Sequence, residues 1–473
     1  MRKIFVVIFV LAVIFSSGCM PKGTLKVSED IVAIDESKLL EKGYRYDKNG
    51  WIYLHIEGKP FERGFQRGYL TANEIDEFLK TLAFFQKFNT AKDLDYFVKA
   101  AVKLFKNKVS EEYIEEMQGM VAGMRKAGKE ITYDEMLFLN GFIDIIWYWW
   151  PEVKESEKED NPGCSAFIAT GDATADGKIV MAHNSWTGYA LVRFANIIVD
   201  IVPERGNRIL MQSWGPCIYS STDFFITGGG LVGVETTIGG FSGFNPKGTP
   251  VFERARKAMQ YANSIDEWAD IMIEDNNGAY ANSWLLGDTR TNEIARFELG
   301  LKNYSLEKKT TGYFTGSNVA ESIEILREET GASYDDIRLS SVARRERWKQ
   351  LMKQYYGKLD AEIAKQMLGD HYDVYLKRDY PSIRTICGHG ELDDGRVPGS
   401  SRPYRPGGAV DGKVVDSNMA QNWTIWAKWG SSCDIGFDAE KFLKNHPQYD
   451  WQKDYLKDLP VRPWTVFPSG KMK

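Results

Sequence analysis

The chain has 473 residues, of which 43% are hydrophobic and 26% charged, and a formal net charge of −5 at pH 7. This is enough apolar chain for one large core or for two to three domains. The slight acidic excess is spread along the sequence, so no basic stripe of the kind that grips a nucleic acid is present.

Arg2 and Lys3 precede an apolar run from Ile4 to Phe15. A basic start and a run too short to span a bilayer read as an export signal over residues 1–18. Ser16-Ser17-Gly18-Cys19 then places small residues ahead of a cysteine, as in bacterial-type lipoprotein signals lipidated at that cysteine. Ser16 stands where such signals usually carry a bulky aliphatic residue, and an ordinary signal peptide cut nearby is the alternative. The expected location is outside the cytoplasm, at the cell surface or in the periplasm, anchored through lipid on Cys19. No other apolar run is long and charge-free enough for a membrane helix. Residues 19–50 are weakly periodic and read as a tether.

Residues 51–150 read as mostly helical after a short strand from Trp51 to Glu57. From Pro60, Phe61, Phe65, Tyr69, Ala72, Ile75 and Leu79 recur at helical spacing. Gly64 and Gly68 share one side of that helix and permit a close backbone approach. Two more helical patterns cover 96–104 and 114–124. Thr132 and Glu135 then form a capping box ahead of a helix from Met136 to Trp150. A charged linker, 151–163, ends the segment.

That linker closes in Asn161-Pro162-Gly163, and Cys164 follows as the first residue of an apolar strand, Ser165 to Thr170. A cysteine placed directly after a hydrophilic loop is where a nucleophile sits if the chain is cut in front of it. A thiol has a pKa of about 8.5 and needs a base within reach. Scission between Gly163 and Cys164 would give Cys164 a free α-amine of pKa about 7.7–8.0, a base held in the same residue. Gly163 offers no side chain to obstruct attack on its own carbonyl. The plain alternative is a buried structural thiol. A polar turn over 171–177 leads to a second strand, Lys178 to Ala182, closed by His183-Asn184-Ser185-Trp186.

Strands are expected over 191–202, 208–214, 223–227 and 231–238, with Gly228-Gly229-Gly230 as a turn. Helices are expected over 250–262 and 264–274, the second capped by Ser264 with Glu267 three residues on. A hairpin about Asp288-Thr289-Arg290 joins 282–286 to 293–299, residues 320–370 return to helix, and 408–415 and 420–426 to strand. Such a mixture fits sheet and helix layers.

At this point the residues carry a resemblance. CSAFIA (164–169), AHNSW (182–186), DFFITGGGLVGVETT (223–237), NNGAYANSW (276–284) and PGGAVDGKVVDSNMA (406–420) occur in that order. The set resembles the phospholipase B-like family of the lamina-ancestor type. More distantly it is similar to the cysteine acyltransferases related to isopenicillin N acyltransferase, whose opening helix GKPFERGFQRGYL (58–70) resembles. The resemblance implies an α+β, four-layer αββα Ntn-hydrolase sandwich over 164–473, matured by self-cleavage at Gly163–Cys164. Cys164 would be the nucleophile and Asn282 the side-chain oxyanion donor. His183 would orient the amine or polarise the substrate carbonyl. Trp186, Thr236 and Arg254 would line the substrate pocket. Arg254 would hold a carboxylate or phosphate, or pair with Glu235. In the wider acyltransferases an Asp stands near the place of Trp186, which favours the phospholipase B-like branch and leaves the orienter of the amine unassigned.

Other chemistries have less support. No G-x-S-x-G elbow and no H-E-x-x-H is present, and His371 and His389 are too sparse in sequence for a zinc set, so neither metal nor cofactor is expected. One disulfide among Cys217, Cys387 and Cys433 is expected in an exported chain, with the pair undetermined. The expected function is an exported, self-processing hydrolase that cuts an acyl bond, an amide first, through a Cys164 thioester. A phospholipase-like ester hydrolase and a non-enzymatic ligand-binding lipoprotein are the alternatives. The expected partners are a small acylated substrate or lipid, a membrane through the lipid anchor, and the two cleaved pieces for one another.

Overall fold

Asn49-Gly50 sets the first piece of architecture. Both residues have positive φ, 50° and 87°, and Lys48 pairs with Trp51 across them. That is the two-residue turn that Asn-Gly favours, because its twist matches the strands on either side. The computed structural model describes residues 36–154, 163–221, 224–397 and 402–468, and the residues from Ser37 onward belong to one compact unit. The proposed signal, Cys19 and most of the charged linker lie outside the described residues. The tether expected to run to residue 50 ends earlier, because the turn makes 44–58 a hairpin.

The strands, numbered along the chain, are β1 (Tyr44–Lys48), β2 (Trp51–Gly58), β3 (Ser165–Gly171), β4 (Gly177–Asn184), β5 (Trp186–Gly188), β6 (Ile197–Pro203), β7 (Ile209–Ser213), β8 (Phe224–Thr227), β9 (Leu231–Thr237), β10 (Asn282–Asp288), β11 (Glu293–Leu299), β12 (Tyr304–Lys309), β13 (Gly312–Gly316), β14 (Tyr372–Asp373), β15 (Arg378–Asp379), β16 (Gly407–Ala409), β17 (Asp411–Asp416), β18 (Ile425–Trp429) and β19 (Thr465–Phe467). They form a nine-stranded sheet, β1-β2-β6-β7-β8-β9-β10-β11-β12, a six-stranded sheet, β13-β3-β4-β17-β18-β19, and two small pairs, β14-β15 and β16-β5. The pairing of β2 with β6 is parallel and the other neighbours in both sheets are antiparallel.

Alternation along the strands layers the molecule. Ala166 and Ile168 of β3, with Ile179 and Met181 of β4, share a core with Trp51, Tyr53, Ile198, Val234 and Leu285 of the large sheet. Their neighbours Phe167, Ala169, Val180 and Ala182 instead meet Trp348, Met352, Ala364 and Leu368 from the helices Ser340–Tyr355 and Ala361–Leu368. On the far side of the large sheet, Ile52, Leu54, Ile56, Val199 and Trp284 pack against the helical segment before Cys164 and the helices Val251–Tyr261 and Ile265–Ile273. The fold is therefore mixed α+β, with helices outside two stacked sheets. The segment 51–150 is part of the same body, since β2 lies within the large sheet.

The glycine prediction is met by two helices. A Cβ on Gly64 would fall 1.9 Å from the Glu116 carbonyl oxygen, and one on Gly119 would fall 2.2 Å from that of Phe61. The helices Pro60–Leu70 and Glu111–Lys126 thus cross backbone to backbone. Their contact buries Glu116 between Arg63 and Arg256, at 2.6 and 3.1 Å. The Thr132–Glu135 capping box is present, but its helix stops at Asn140 and a π-helical turn, Asp144–Trp149, follows.

Two expected strands are displaced. Residues 189–192 form a helical turn ahead of β6, and 417–421 a helix capped by Asp416 ahead of β18. Strands β1, β5, β12, β13, β14, β15 and β19 have no counterpart among the expected elements.

Candidate functional site

Cys164 directly precedes β3 and is buried, 8% exposed. Its carbonyl oxygen accepts from Arg344 Nη1 at 2.5 Å. The same guanidinium donates to Ser165 Oγ and, through Nη2, to Asn318 Oδ1 at 2.8 Å. Asn318 Nδ2 donates to the Thr237 carbonyl at 2.7 Å. A Cβ on Gly163 would stand 1.7 Å from Asn318 Oδ1. Glycine at 163 therefore lets Asn318 pass close to the backbone, and Asn318 ties the start of β3 to the end of β9.

His183 pairs in register with Ala166, on the strand adjacent to Cys164. Its Nε2 lies 3.0 Å from the Glu235 carbonyl oxygen. A carbonyl only accepts, so Nε2 carries the proton, and a neutral ring then leaves Nδ1 as an acceptor. Nδ1 is buried with no hydrogen-bond partner among the described residues. Burial holds the imidazole well below its ordinary pKa, and the nearby Lys413 charge adds to that, against the Glu235 carbonyl. Lys413 itself is buried against Asp411 at 2.8 Å and donates to Ser185 Oγ and Gln212 Oε1. Asn184, between His183 and Ser185, is consumed structurally: it donates to the Leu368 and Ile386 carbonyls and accepts from Ser432 Oγ.

Asn282 opens β10 opposite Thr237. It is fully buried, yet neither its Oδ1 nor its Nδ2 has a hydrogen-bond partner among the described residues. Leaving such an amide unpaired costs roughly 1–3 kcal/mol per group, so its retention asks for an explanation. Thr236 Oγ1 is likewise buried and unpartnered there, packed against Gly316 of β13, which pairs with Ala166. Glu235 turns its carboxylate to Tyr280 Oη, at 3.0 Å. Trp186 lies under the Arg344 guanidinium at 4.4 Å.

These contacts join Gly163, Cys164, His183, Trp186, Thr236 and the start of β10, where Asn282 lies, into one neighbourhood. Arg254 is used differently. Its Nε, Nη1 and Nη2 donate to the Thr249 carbonyl, the Met272 carbonyl and Asn277 Oδ1. There it locks the start of its helix to the loop before β10.

Sequence reasoning missed Arg344 and Asn318. Arg344 sits in VARRERW, which reads as one more charged helix face, and nothing local marks the arginine that turns inward. It also judged His371 and His389 too sparse for a ligand set. In the fold they meet Cys387 and Cys433, all four ligand atoms lying within 4.8 Å of one another. The segments that bring them together are separated by a helix and by strands, so no local spacing records the set. Cys217 lies apart from them and donates to the Leu139 carbonyl.

Comparison with known proteins follows the same residues. The phospholipase B family model matches residues 45–323. Phospholipase B of Crotalus adamanteus is 25% identical over 83% of this chain and 82% of its own length. Phospholipase B-like 1 of Bos taurus is 24% identical over 80% of this chain and 76% of its own. An uncharacterized protein of Archaeoglobus fulgidus is 26% identical over 53% of this chain, a match that spans 44% of that protein. No helix among the described residues is long and apolar enough to cross a membrane. A family match over more than half of the sequence, falling on the strands and helices that hold Cys164, His183 and Asn282, shows that the chain belongs to the phospholipase B family.

Proposed function

We propose that this chain is an exported, self-processing hydrolase that cuts acyl bonds through Cys164. Scission between Gly163 and Cys164 frees the α-amine of Cys164. That amine takes the thiol proton as Sγ bonds the substrate carbonyl carbon. The C–N or C–O bond then breaks, the leaving amine or alcohol receives the proton, and an acyl thioester remains. Water attacks the thioester, releasing the acid and restoring the thiol. The observation that carries the reading is Asn282: a buried amide with both polar atoms unpartnered among the described residues suits a donor kept for an oxyanion. Nδ1 of His183 is an acceptor of the right kind for the amine or for a substrate hydroxyl.

The family description and the names of the relatives favour an ester-linked acyl lipid as the substrate class. This moves the first choice away from the amide expected from sequence alone. The αββα Ntn reading and lipid anchoring at Cys19 belong to the same proposal, and the stacked sheets with helices outside support the former.

Intact mass of purified protein tests the scission: two pieces meeting at 163/164 are expected, and a single uncut band for Cys164→Ala. A thiol-directed acyl probe, given alongside phospholipid and acyl-amide substrates, should modify the peptide beginning at Cys164. Asn282→Ala should lower turnover by roughly 10²–10³ with KM little changed. An uncut, unreactive chain that still binds lipid would replace the enzyme by a ligand-binding protein.

A further inference from the structure

Beyond the acyl site, the chain gathers two histidines and two cysteines. We propose that His371, Cys387, His389 and Cys433 form a structural zinc site. Their ligand atoms all lie within 4.8 Å of one another. His389 Nε2 stands 3.3 Å from Cys433 Sγ and 3.6 Å from Cys387 Sγ. Zinc bonds of about 2.3 Å to sulfur and about 2.0–2.1 Å to nitrogen, at a tetrahedral angle, put S and N about 3.5–3.6 Å apart. One observed edge matches that figure and the other is shorter by about 0.2–0.3 Å, so the ligands need little movement to close on an ion.

The surroundings are those of a metal ligand as well. The other nitrogen of His389, Nδ1, meets Glu391 Oε1 at 2.9 Å, and Tyr189 Oη donates to Glu391 Oε2 at 2.7 Å. A carboxylate behind a histidine fixes the ring so that Nε2 faces the ion with its lone pair. His371 sets its ring against His389, centroids 5.1 Å apart, and its Nε2 is buried with no hydrogen-bond partner among the described residues. The Ile435 amide points at Cys433 Sγ from 3.3 Å, a donor suited to a thiolate. Two thiolates and two imidazoles select zinc over magnesium or calcium, which take oxygen. Four protein ligands leave no open position, so the ion is structural. Binding it releases two thiol protons to solvent.

The site also has something to hold. It joins the residues after the helix Ala361–Leu368, the segment 387–389 and the loop after β18. A Cβ on Gly388, between two ligands, would fall 1.9 Å from the Trp186 ring. The ion would therefore clamp the backing of Trp186, and through it the Arg344 guanidinium that grips Cys164. The competing fate of Cys387 and Cys433 is the disulfide expected from an exported chain.

The test is elemental analysis of the purified full chain after dialysis, with about one zinc per chain expected. Removing the metal with a chelator and adding cobalt(II) alone should give visible absorption of a tetrahedral thiolate site, displaced by zinc(II). Cys433→Ser and His371→Ala should lose the ion, and Cys217→Ser should keep it. Glu391→Gln, which retains a hydrogen-bonding oxygen for Tyr189, should weaken zinc binding about 10–100-fold. A folded wild-type chain without zinc and without the cobalt spectrum overturns the assignment. So does non-reducing peptide mapping that finds Cys387 joined to Cys433. The wild-type measurements decide even where a ligand variant fails to fold, and none of them depends on acyl-bond activity.

Discussion

A single added carbon at Gly163 collides with Asn318, and that collision reaches the proposed nucleophile. Asn318 would have to leave the position in which it steadies Arg344, and Arg344 holds the Cys164 carbonyl. Gly163→Ala should therefore slow scission at least about tenfold, the effect of some 1.4 kcal/mol of misplacement. The time course of the two bands against wild type measures it; equal rates would show that the Asn318 contact does not matter for cutting. His183 supplies a second prediction. Its folded pKa lies below its unfolded value of about 6.5, chiefly through burial. As pH falls, the unfolded chain takes up the proton first, so the stability that depends on neutral His183 is whole above about pH 6.5 and declines below it. The slope approaches 1.4 kcal/mol per pH unit, about one proton's worth. Denaturant titrations from about pH 7.5 to 5 should show this extra loss in wild type and its absence in His183→Gln. Parallel curves for the two proteins would mean that His183 does not carry it.

Between elements, the helices Pro60–Leu70 and Glu111–Lys126 cross backbone to backbone. Gly119→Ala puts a methyl group against the Phe61 carbonyl, which cannot move without opening the helix. A loss of about 1–3 kcal/mol or more is expected from such overpacking, read as a lower denaturant midpoint at constant m-value. An unchanged midpoint would show that the helices separate freely. This contact was legible in sequence, because Gly64 and Gly68 recur four apart, on one side of a helix whose apolar residues keep helical spacing. So were β3, β4, β9 and β10, short runs bounded by turn residues and buried on both faces, and the capped helices, whose end residues are local signals. The hairpin about Asn49-Gly50 was equally legible, but the weak periodicity before it drew 19–50 into a tether. β12 (YSLEKK) was not, because an edge strand with exposed charges has no apolar alternation to show. The candidate site divides in the same way. Cys164 announces itself by its place after a turn. Arg344, Asn318 and the His371–Cys387–His389–Cys433 set depend on residues far apart in sequence, which only the folded chain brings together.

For the whole molecule, the proposed scission at Gly163–Cys164 would divide the large sheet by ownership. β1 and β2 stay with the first piece and the other seven strands with the second, joined by the parallel pairing of β2 with β6. The helical segment shares a core with strands of the second piece. Cut protein should therefore elute as one species of full mass and separate only under denaturant. Two native species in size exclusion would mean that the interface does not survive the cut. The grip on Cys164 spans 180 residues of chain. A ribosome must release the helix Ser340–Tyr355 before that grip exists. On the proposed scission, cutting would act as a checkpoint on synthesis: a nascent chain stopped short of Arg344 would stay whole, and a severed one would certify that its distant half has arrived.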